Sequence, residues 1–556
     1  MGQEKRGNEY DVIIVGGGIT GAGTARDCAL RGLNVLLIER HDIATGATGR
    51  NHGLLHSGAR YAVKDSESAE ECIRENIILR KIASNCVEDT QGLFITLPED
   101  ADSGYGLDYQ KTFIEACLKA GINAEAIDPK DAIMMEPSVN PRLIGAVKVP
   151  DGSVDPFRLC AANITDAKLH GAKVLVYSEV TEFIKEGDTI LGVKVRDSKT
   201  GEISEYRAPV TVNAAGIWGH NIAEMAGVHV GMYPAKGALL VFGHRVNNVV
   251  INRCRKSADG DILVPGDTVC VIGTTSTKVP FEQCDNMYVT RDEVELLLRE
   301  GCALAPSLAT TRILRAYAGV RPLVASDDDP TGRSISRGIV CLDHETRDGL
   351  KGFITITGGK LMTYRLMSEI ATDAVCKKLN INKTCQTATT PIIGSEMGEA
   401  RKDTLEKTVK KIWNFPTIGQ KAAAGRFGTR AADIPYKSEE DRKVICECEQ
   451  VTLGEIKYAV KTNAITSLED LRRRTRIGMG TCQGTFCIYK AAKALAEALG
   501  TPEKADIIAR DYLNERWKGM TCVGWGDTIR EMEFMQRVYK NGIPDSYKNI
   551  PDPTKK

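Results

Sequence analysis

Residues 11–40, DVIIVGGGITGAGTARDCALRGLNVLLIER, constrain this chain more than any other stretch. Residues 11–15 are a short, β-branched apolar run of the kind that forms a buried parallel strand, and the run stops at a triplet of glycines. Gly16, Gly18 and Gly21 stand in G-x-G-x-x-G register. The first permits a tight turn, the second lets backbone N–H groups approach a pyrophosphate, and the third allows close helix–strand packing. Gly17, Ile19 and Thr20 share that turn and count with them as cofactor-binding residues. The following helix aims its positive end at the pyrophosphate. Residues 34–38 make a second strand, and Glu39, with Arg40 beside it, comes about twenty residues past the glycines, where a carboxylate accepts ribose hydroxyls. The pattern reads as a dinucleotide site. By itself it does not say which dinucleotide, and a plain strand–turn–helix shares its glycines.

At 556 residues the chain is too long for one core, so two or three domains are expected. Lys plus Arg equals Asp plus Glu at 73 each, a balance that points away from nucleic acid as a partner. A charged substrate must then be met by a few placed arginines. Thirteen of the 17 cysteines are scattered without a motif, and the opening MGQEKRGNEYD has no signal-peptide core. Both features point to a reducing cytoplasm. No apolar run approaches the ~18 residues of a membrane span.

Residues 41–63, rich in Gly, Thr and His, read as a long functional loop beside the nucleotide site. A helix is expected over 65–86 with Ile73, Ile77 and Ile78 on one stripe, and another over 108–120. A helix over 156–171 precedes strands over 173–177, 190–196 and 203–207, with a hairpin turn at 197–201. The strand over 210–213 runs into Ala214-Ala215-Gly216, small residues that suit close approach by a ligand. Residues 230–345 read as a second domain, with strands over 238–242, 269–273 and 339–342 and a helix over 290–305. Residues 352–365 then repeat the opening geometry: a strand, the turn Gly358-Gly359, and a helix starting near Leu361, Met362 and Thr363. Residues 394–443 read as a linker region with charged helical segments around 399–412, an Ala-rich piece at 420–428 and a charged run at 437–443.

The remaining cysteines cluster as Cys446-Glu-Cys448 and, 33 residues later, Cys482-Gln-Gly-Thr-Phe-Cys487. Thr452-x-x-Glu455 and Ser467-x-x-Asp470 cap two helices between the pairs. Such a four-thiolate cage suits zinc or an iron–sulfur cluster, and C-x-C with C-x4-C departs from the C-x-x-C knuckles of structural zinc. The run Arg472 to Arg474 reads as a solvated helix face, with a docking face for a partner as the alternative.

The opening fingerprint, the loop ATGATGRNHGLLHSGARYA, the strand VNAAGIWG, the segment RAYAGVRPLVASDDDP and the close ITITGGKLMTYR together resemble the FAD-dependent glycerol-3-phosphate dehydrogenases, within the amino-acid-oxidase-like flavoproteins. The cysteine domain resembles the bacterioferritin-associated-ferredoxin-like (BFD-like) [2Fe-2S] modules. The two in this order are similar to the catalytic A subunits of the anaerobic enzymes, and the likeness extends to DYLNERWKGM and WGDTIREMEF near the C-terminus. The resemblance implies an α/β fold with a Rossmann-like FAD-binding domain interrupted by an α+β substrate domain, followed by a small helical BFD-like [2Fe-2S] domain. The expected FAD-binding pieces are about 10–90, 150–229 and 346–393, within a flavoprotein region of 1–393, and the substrate-domain pieces about 91–149 and 230–345. A linker at 394–440, the [2Fe-2S] domain at 441–515 and a tail at 516–556 complete the layout.

The implied reaction oxidises sn-glycerol 3-phosphate to dihydroxyacetone phosphate by hydride transfer to FAD, while a base takes the hydroxyl proton. Arg60 and Arg321 are expected to hold the phosphate, Tyr61 to add a hydrogen bond, and Lys360 to sit near the flavin or the substrate oxygen. His52 and His56 are the candidate bases. Single-subunit relatives carry a histidine shortly after a Lys-Gly pair, where this chain has Leu239 after Lys236-Gly237. Thr48, Ala215, Gly216, Gly358 and Gly359 complete the FAD contacts, and Cys446, Cys448, Cys482 and Cys487 are the cluster ligands. The family further implies B- and C-type partner subunits with more redox centres, quinone as final acceptor, and peripheral contact with the cytoplasmic face of a membrane through those partners. Competing readings are a flavoprotein acting on an amino acid or 2-hydroxy acid, and a non-catalytic electron-transfer subunit.

Overall fold

The computed structural model describes residues 8–324, 338–396, 409–410, 412–413 and 416–541. Strand β1 (Val12–Val15) lies in the middle of a six-stranded sheet, between β2 (Val35–Ile38) and the strand Val210–Asn213. Lys173–Leu175 extends the sheet beyond β2, and Phe353–Gly358 extends it beyond Val210–Asn213, all in parallel. Alternate residues of β1 and β2 enter different cores, Val12, Ile14, Val35 and Leu37 on one face and Ile13, Val15, Leu36 and Ile38 on the other. Burial on both faces is what their continuous apolar sequence requires. Helix α1 (Ile19–Leu30), made largely of small residues, packs against the helices Pro156–Leu169 and Tyr364–Lys378. The opposite face is covered by an antiparallel sheet of Ser178–Glu186, Thr189–Asp197 and Ile203–Arg207.

A nine-stranded sheet forms the second layer of the molecule. Its long pair, Met232–Phe242 and Ile313–Val324, runs from the second core toward the glycine turns, and Gly92–Thr96 and Gly145–Val149 join the same sheet. The strand expected over 339–342 forms as Ile339–Asp343 but does not belong to this layer. It pairs antiparallel with Phe353–Gly358 at the edge of the six-stranded sheet, because the short helix His344–Asp348 folds it straight back onto its sequence neighbour. The helix expected over 65–86 forms as Ser66–Ile82, with one correction. Ile77 is exposed, and the buried stripe runs through Ala69, Cys72, Ile73, Asn76 and Leu79. Asn76 is tolerated inside because its amide donates to the carbonyls of Leu55, His56 and Pro150.

The cysteine domain is a two-stranded ribbon, Val444–Cys446 with Val451–Thr452, followed by helices Leu453–Thr462, Leu468–Thr475, Ile488–Ala498 and Ala505–Met520 around one core. Both expected caps are present, Thr452 accepting from the Glu455 amide and Ser467 from the Asp470 amide. The described part of the expected linker is packed rather than loose. Its helix Ile418–Phe427 buries Arg426 in an ion pair with Glu455 at 2.6 Å. The helical segment expected over 399–412 falls almost wholly outside the described residues. The described part of the tail is also packed, with Met520, Val523 and Met532 inserted into the core of the nine-stranded layer. All 17 cysteines are free. Among the described residues no helix is long and apolar enough to cross a membrane.

Candidate functional site

The strand ends of the six-stranded sheet open onto a cavity of about 1350 Å³. Gly16, Gly18, Ile19, Thr20, Glu39, Arg40, Thr48, Ala215, Gly216, Gly358, Gly359, Leu361 and Met362 line it, so the three strand–turn segments meet in space. Gly17, Gly21 and Thr363 stand just behind the wall. Gly21 has no alternative there, since a Cβ would fall 1.9 Å from the Gly16 carbonyl oxygen. Gly16 adopts φ +116° against the Ala214 carbonyl, a backbone state that a side chain resists. Glu39 is already fixed, its carboxylate accepting the Gly17 amide at 2.6 Å and the His41 amide at 2.9 Å. Thr48 Oγ accepts the Ile19 amide at 2.9 Å and so shapes the helix start. Arg40 pairs with Asp285 and lies 4.7 Å over the Trp218 ring. Backbone donors at a helix start, an acid at the end of β2 and an aromatic wall fit a dinucleotide such as FAD.

The same cavity continues past His52, His56, Arg60, Tyr61, Arg321 and Lys360. Arg60, in the turn Ala59–Tyr61, pairs with the buried Asp261 at 2.8 Å, while its Nη1 is buried with no hydrogen-bond partner. Burial alone would raise Asp261, but Arg60 and Arg255 outweigh it and hold the carboxyl below its ordinary range. Arg321 comes from the long strand Ile313–Val324 and donates to Thr274 Oγ1, to the Thr275 carbonyl at 2.9 Å and to Ser276 Oγ at 3.3 Å. Lys360 follows the Gly-Gly turn, its ammonium 4.7 Å from the Tyr61 ring, and His56 lies against the same ring at 5.1 Å. The Gly58 amide donates to His56 Nδ1 at 3.0 Å, which leaves the proton of the neutral ring on Nε2. Leu239 is fully buried in its strand and does not reach the cavity. Sequence reasoning missed Trp218, the hydroxyl run Thr274 to Ser276, and Asp261. Only the hydroxyl run carried a local signal, a polar stretch at a strand end.

At the cysteine centre, Cys446 ends a ribbon strand and Cys487 caps the helix Ile488–Ala498. Sharing of a proton by Cys487, with backbone amides of Gly478 and Glu449, brings Cys446 down to about 7. The Cys487 thiol, with the amides of Phe486 and Gly484, brings Cys482 down to about 5. Burial pushes Cys448 up to about 11, and the neighbouring thiols Cys446 and Cys482 push Cys487 up. Two of the four thiols, Cys446 and Cys482, are thus disposed to give up their protons, as metal ligands must. A single tetrahedral zinc would bring all four sulfurs within about 3.8 Å of one another, given Zn–S bonds of about 2.3 Å. Among the described residues no three of these sulfurs lie mutually within 4.8 Å. Cys446 adjoins Cys487, Cys487 adjoins Cys482, and Cys482 adjoins Cys448, a donor set of four neighbouring thiols that fits a [2Fe-2S] cluster.

The arginine run is neither a solvated face nor an open docking face. Arg474 meets both oxygens of the buried Asp42 at 2.5 Å, and Arg473 bridges Asp42 at 2.6 Å and Asp470 at 2.8 Å. Arg476 pairs with Asp155 at 2.9 Å and Glu449 at 3.0 Å, and the Tyr177 hydroxyl donates to Asp470 at 2.6 Å. Asp42 belongs to the loop that leaves β2 just after Glu39, so the cysteine domain is clamped to the wall of the nucleotide site.

Comparison with known proteins agrees with this geometry. Residues 11–365 match the family described as FAD dependent oxidoreductase, and residues 444–497 match the BFD-like [2Fe-2S] binding domain. The chain is 59% identical over 530 residues to the A subunit of the anaerobic glycerol-3-phosphate dehydrogenase of Haemophilus influenzae, covering 95% of this chain and 92% of that one. It is 59% identical over 532 residues to the protein of the same name from Escherichia coli K12, covering 95% and 96%. The fold matches the crystal structure of the glycerol-3-phosphate dehydrogenase from Bacillus halodurans complexed with FAD, with a TM-score of 0.69 at 23% identity over 94% of this chain and 97% of that one.

Proposed function

The chain belongs to the FAD dependent oxidoreductases, and within them to the family of anaerobic glycerol-3-phosphate dehydrogenase A subunits, and from that premise we propose that it oxidises sn-glycerol 3-phosphate to dihydroxyacetone phosphate. FAD takes the fingerprint cavity, and a [2Fe-2S] cluster takes Cys446, Cys448, Cys482 and Cys487. The observation that carries this reading is the meeting of Arg60, Arg321, Lys360 and Tyr61 at one end of a dinucleotide cavity. A phosphate dianion needs fixed cations, and a protein of zero net charge supplies them only where it places them. A module that only carried electrons would have no use for them.

Bound FAD supplies the acceptor for the substrate's hydride, and the cluster supplies one-electron transfer. The chain's own residues do the rest. Arg321, its fork held by Thr274, Thr275 and Ser276, and Arg60, held by Asp261, orient the phosphate. Lys360 stabilises negative charge developing on the substrate oxygen. Because Gly58 engages Nδ1 of His56, that ring serves best as a donor to substrate, and His52 takes the hydroxyl proton. Electrons leave through the docked cysteine domain toward B- and C-type partner subunits and quinone, with membrane contact made through those partners on the cytoplasmic side.

Anaerobic addition of glycerol 3-phosphate should bleach the flavin. Arg321→Ala should slow that bleaching ~10²-fold or more while dithionite still reduces the flavin, and an unchanged rate would remove Arg321 from the site. His52→Ala should lower turnover ~10²-fold or more and remove the acid limb of the pH profile, with His56→Ala leaving that limb in place.

A further inference from the structure

A second cavity, of about 650 Å³, lies between the flavin loop, the strand Ile313–Val324 and the cysteine domain. His41, Thr45, Arg50, Asn51 and His52 line both cavities, so the second adjoins the flavin loop from its far side. Five arginines face it, and they fall into two groups. Arg473 and Arg476 are saturated by Asp42, Asp470, Asp155 and Glu449. Among the described residues, the side chains of Arg50, Arg315 and Arg472 make no hydrogen bond or ion pair.

Nε of Arg315 and Nε of Arg472 are buried with no hydrogen-bond partner, and Arg472 has only the Tyr512 ring at 6.0 Å. Burial, with the Arg472 charge added to it, lowers Arg315 to about 10, and burial also lowers Arg50. Glu515, whose charge acts on Arg50 and Arg315, is engaged by Lys518 at 2.9 Å. All three side chains are half-buried, and a half-buried guanidinium with no hydrogen-bond acceptor is unfavourable. The other lining carboxylates are met by cations, Glu88 by Arg245, Asp155 and Asp267 by Arg158 and Arg476, Asp285 by Arg40 and Asp511 by Arg510, while Glu469, raised by burial, and Gln483 each keep a buried Oε1 without a hydrogen-bond partner. Val241, Val271 and Tyr317 supply apolar wall for an organic portion.

We infer that this cavity is a phosphate-binding site in which Arg50, Arg315 and Arg472 hold free phosphate or a phosphate monoester. Its occupant would tie the flavin loop, through Arg50, to the cysteine domain, through Arg472. The inference does not depend on the reaction proposed above, because the substrate end of the first cavity uses other arginines.

Equilibrium dialysis of the FAD- and cluster-loaded protein against labelled inorganic phosphate, and separately against labelled glycerol 3-phosphate, tests it. Two classes of phosphate site are expected. Arg321→Ala should remove one, and Arg315→Met with Arg472→Met should weaken the other ~10-fold or more, with KM for glycerol 3-phosphate unchanged. Retention of the second class for phosphate alone identifies free phosphate as the occupant, and binding of both probes identifies an ester. A single class that vanishes with Arg321→Ala overturns the inference. So does a double variant with wild-type phosphate binding and a shifted cluster potential, which would make these arginines counter-charges for the cluster. Arg315→Lys, which keeps the charge but not the fork, serves if the double variant fails to fold and should still weaken the second class.

Discussion

Arg473 and Arg474 on one side of the flavin loop, and Arg60 and Arg321 on the other, put the same side chain to opposite uses. The first pair is consumed by the buried Asp42 and by Asp470. The second pair faces the first cavity, Arg321 set by the hydroxyls of Thr274 and Ser276 and the Thr275 carbonyl, and Arg60 set by Asp261 and the Ala258 carbonyl. A charge that fastens two domains is met by a buried counter-charge, whereas a charge that meets a substrate must be oriented by groups that keep it facing the cavity.

Asp42→Ala breaks the comparison most directly. It strands the buried Arg474 guanidinium and leaves Arg473 with Asp470 alone, and the expected loss is about 3–5 kcal/mol of stability. The denaturant midpoint should fall, and the cysteine domain should become protease-sensitive while the flavin region stays protected. Asp42→Leu with Arg474→Met should recover much of that loss, since an apolar pair of similar volume is often neutral. A clamp that is merely decorative would show no change in the first variant.

On the other side, Arg321→Ala should leave stability nearly unchanged and lower kcat/KM ~10²–10³-fold, or about 2.7–4 kcal/mol of transition-state stabilisation. Unfolding of this variant at ordinary temperature would place Arg321 with the fastening arginines.

The fastening side also carries a pH dependence. Burial pushes the carboxyls of Asp42 and Asp155 up, but Arg474 and Arg473 on one, and Arg158 and Arg476 on the other, outweigh it, and both end below the ordinary carboxylate range. A depressed folded value stabilises above the unfolded value of about 3.9 and is lost as pH falls through the folded value. Stability should therefore be level above about pH 5 and decline below about pH 4, by up to about 1.4 kcal/mol per pH unit for each group. Urea midpoints from pH 6 to pH 3 measure it, and a wild-type slope equal to that of Asp42→Asn would exclude this carboxylate as a source.

The contrast between these arginines was not legible in the sequence, although much around them was. β1, the glycine turn and β2 could be read because strand period and turn chemistry are local. The return strand Val210–Asn213 and the turn at Gly358 announced themselves in the same way. Arg473 shows nothing locally that distinguishes a solvated side chain from one reaching Asp42, because its partner lies 431 positions away. Arg60 and Asp261 pose the same problem across 201 positions. Ile339–Asp343 was visible as a strand but not its sheet, since pairing is a property of topology rather than of composition. Asn76 was invisible as a core residue because three backbone carbonyls, from distant turns, are what make its burial tolerable.

The smallest effect belongs to Tyr177→Phe, and it separates fastening by charge from fastening by hydrogen bond. The Tyr177 hydroxyl donates to Asp470 Oδ1 at 2.6 Å, an oxygen that also receives Arg473 at 2.8 Å. The other oxygen accepts from the amides of Thr466 and Ser467, so loss of the hydroxyl leaves no stranded charge on either partner. The ring itself remains, with Lys199 4.3 Å over it. The expected cost is about 1 kcal/mol, that of one hydrogen bond to a charged group with its acceptor still satisfied. Denaturant titration of this variant beside Asp42→Ala gives the ratio that matters. If Tyr177→Phe costs as much as Asp42→Ala, the domains are held by a network in which no member is separable, and the distinction between fastening and substrate-facing arginines loses its energetic basis.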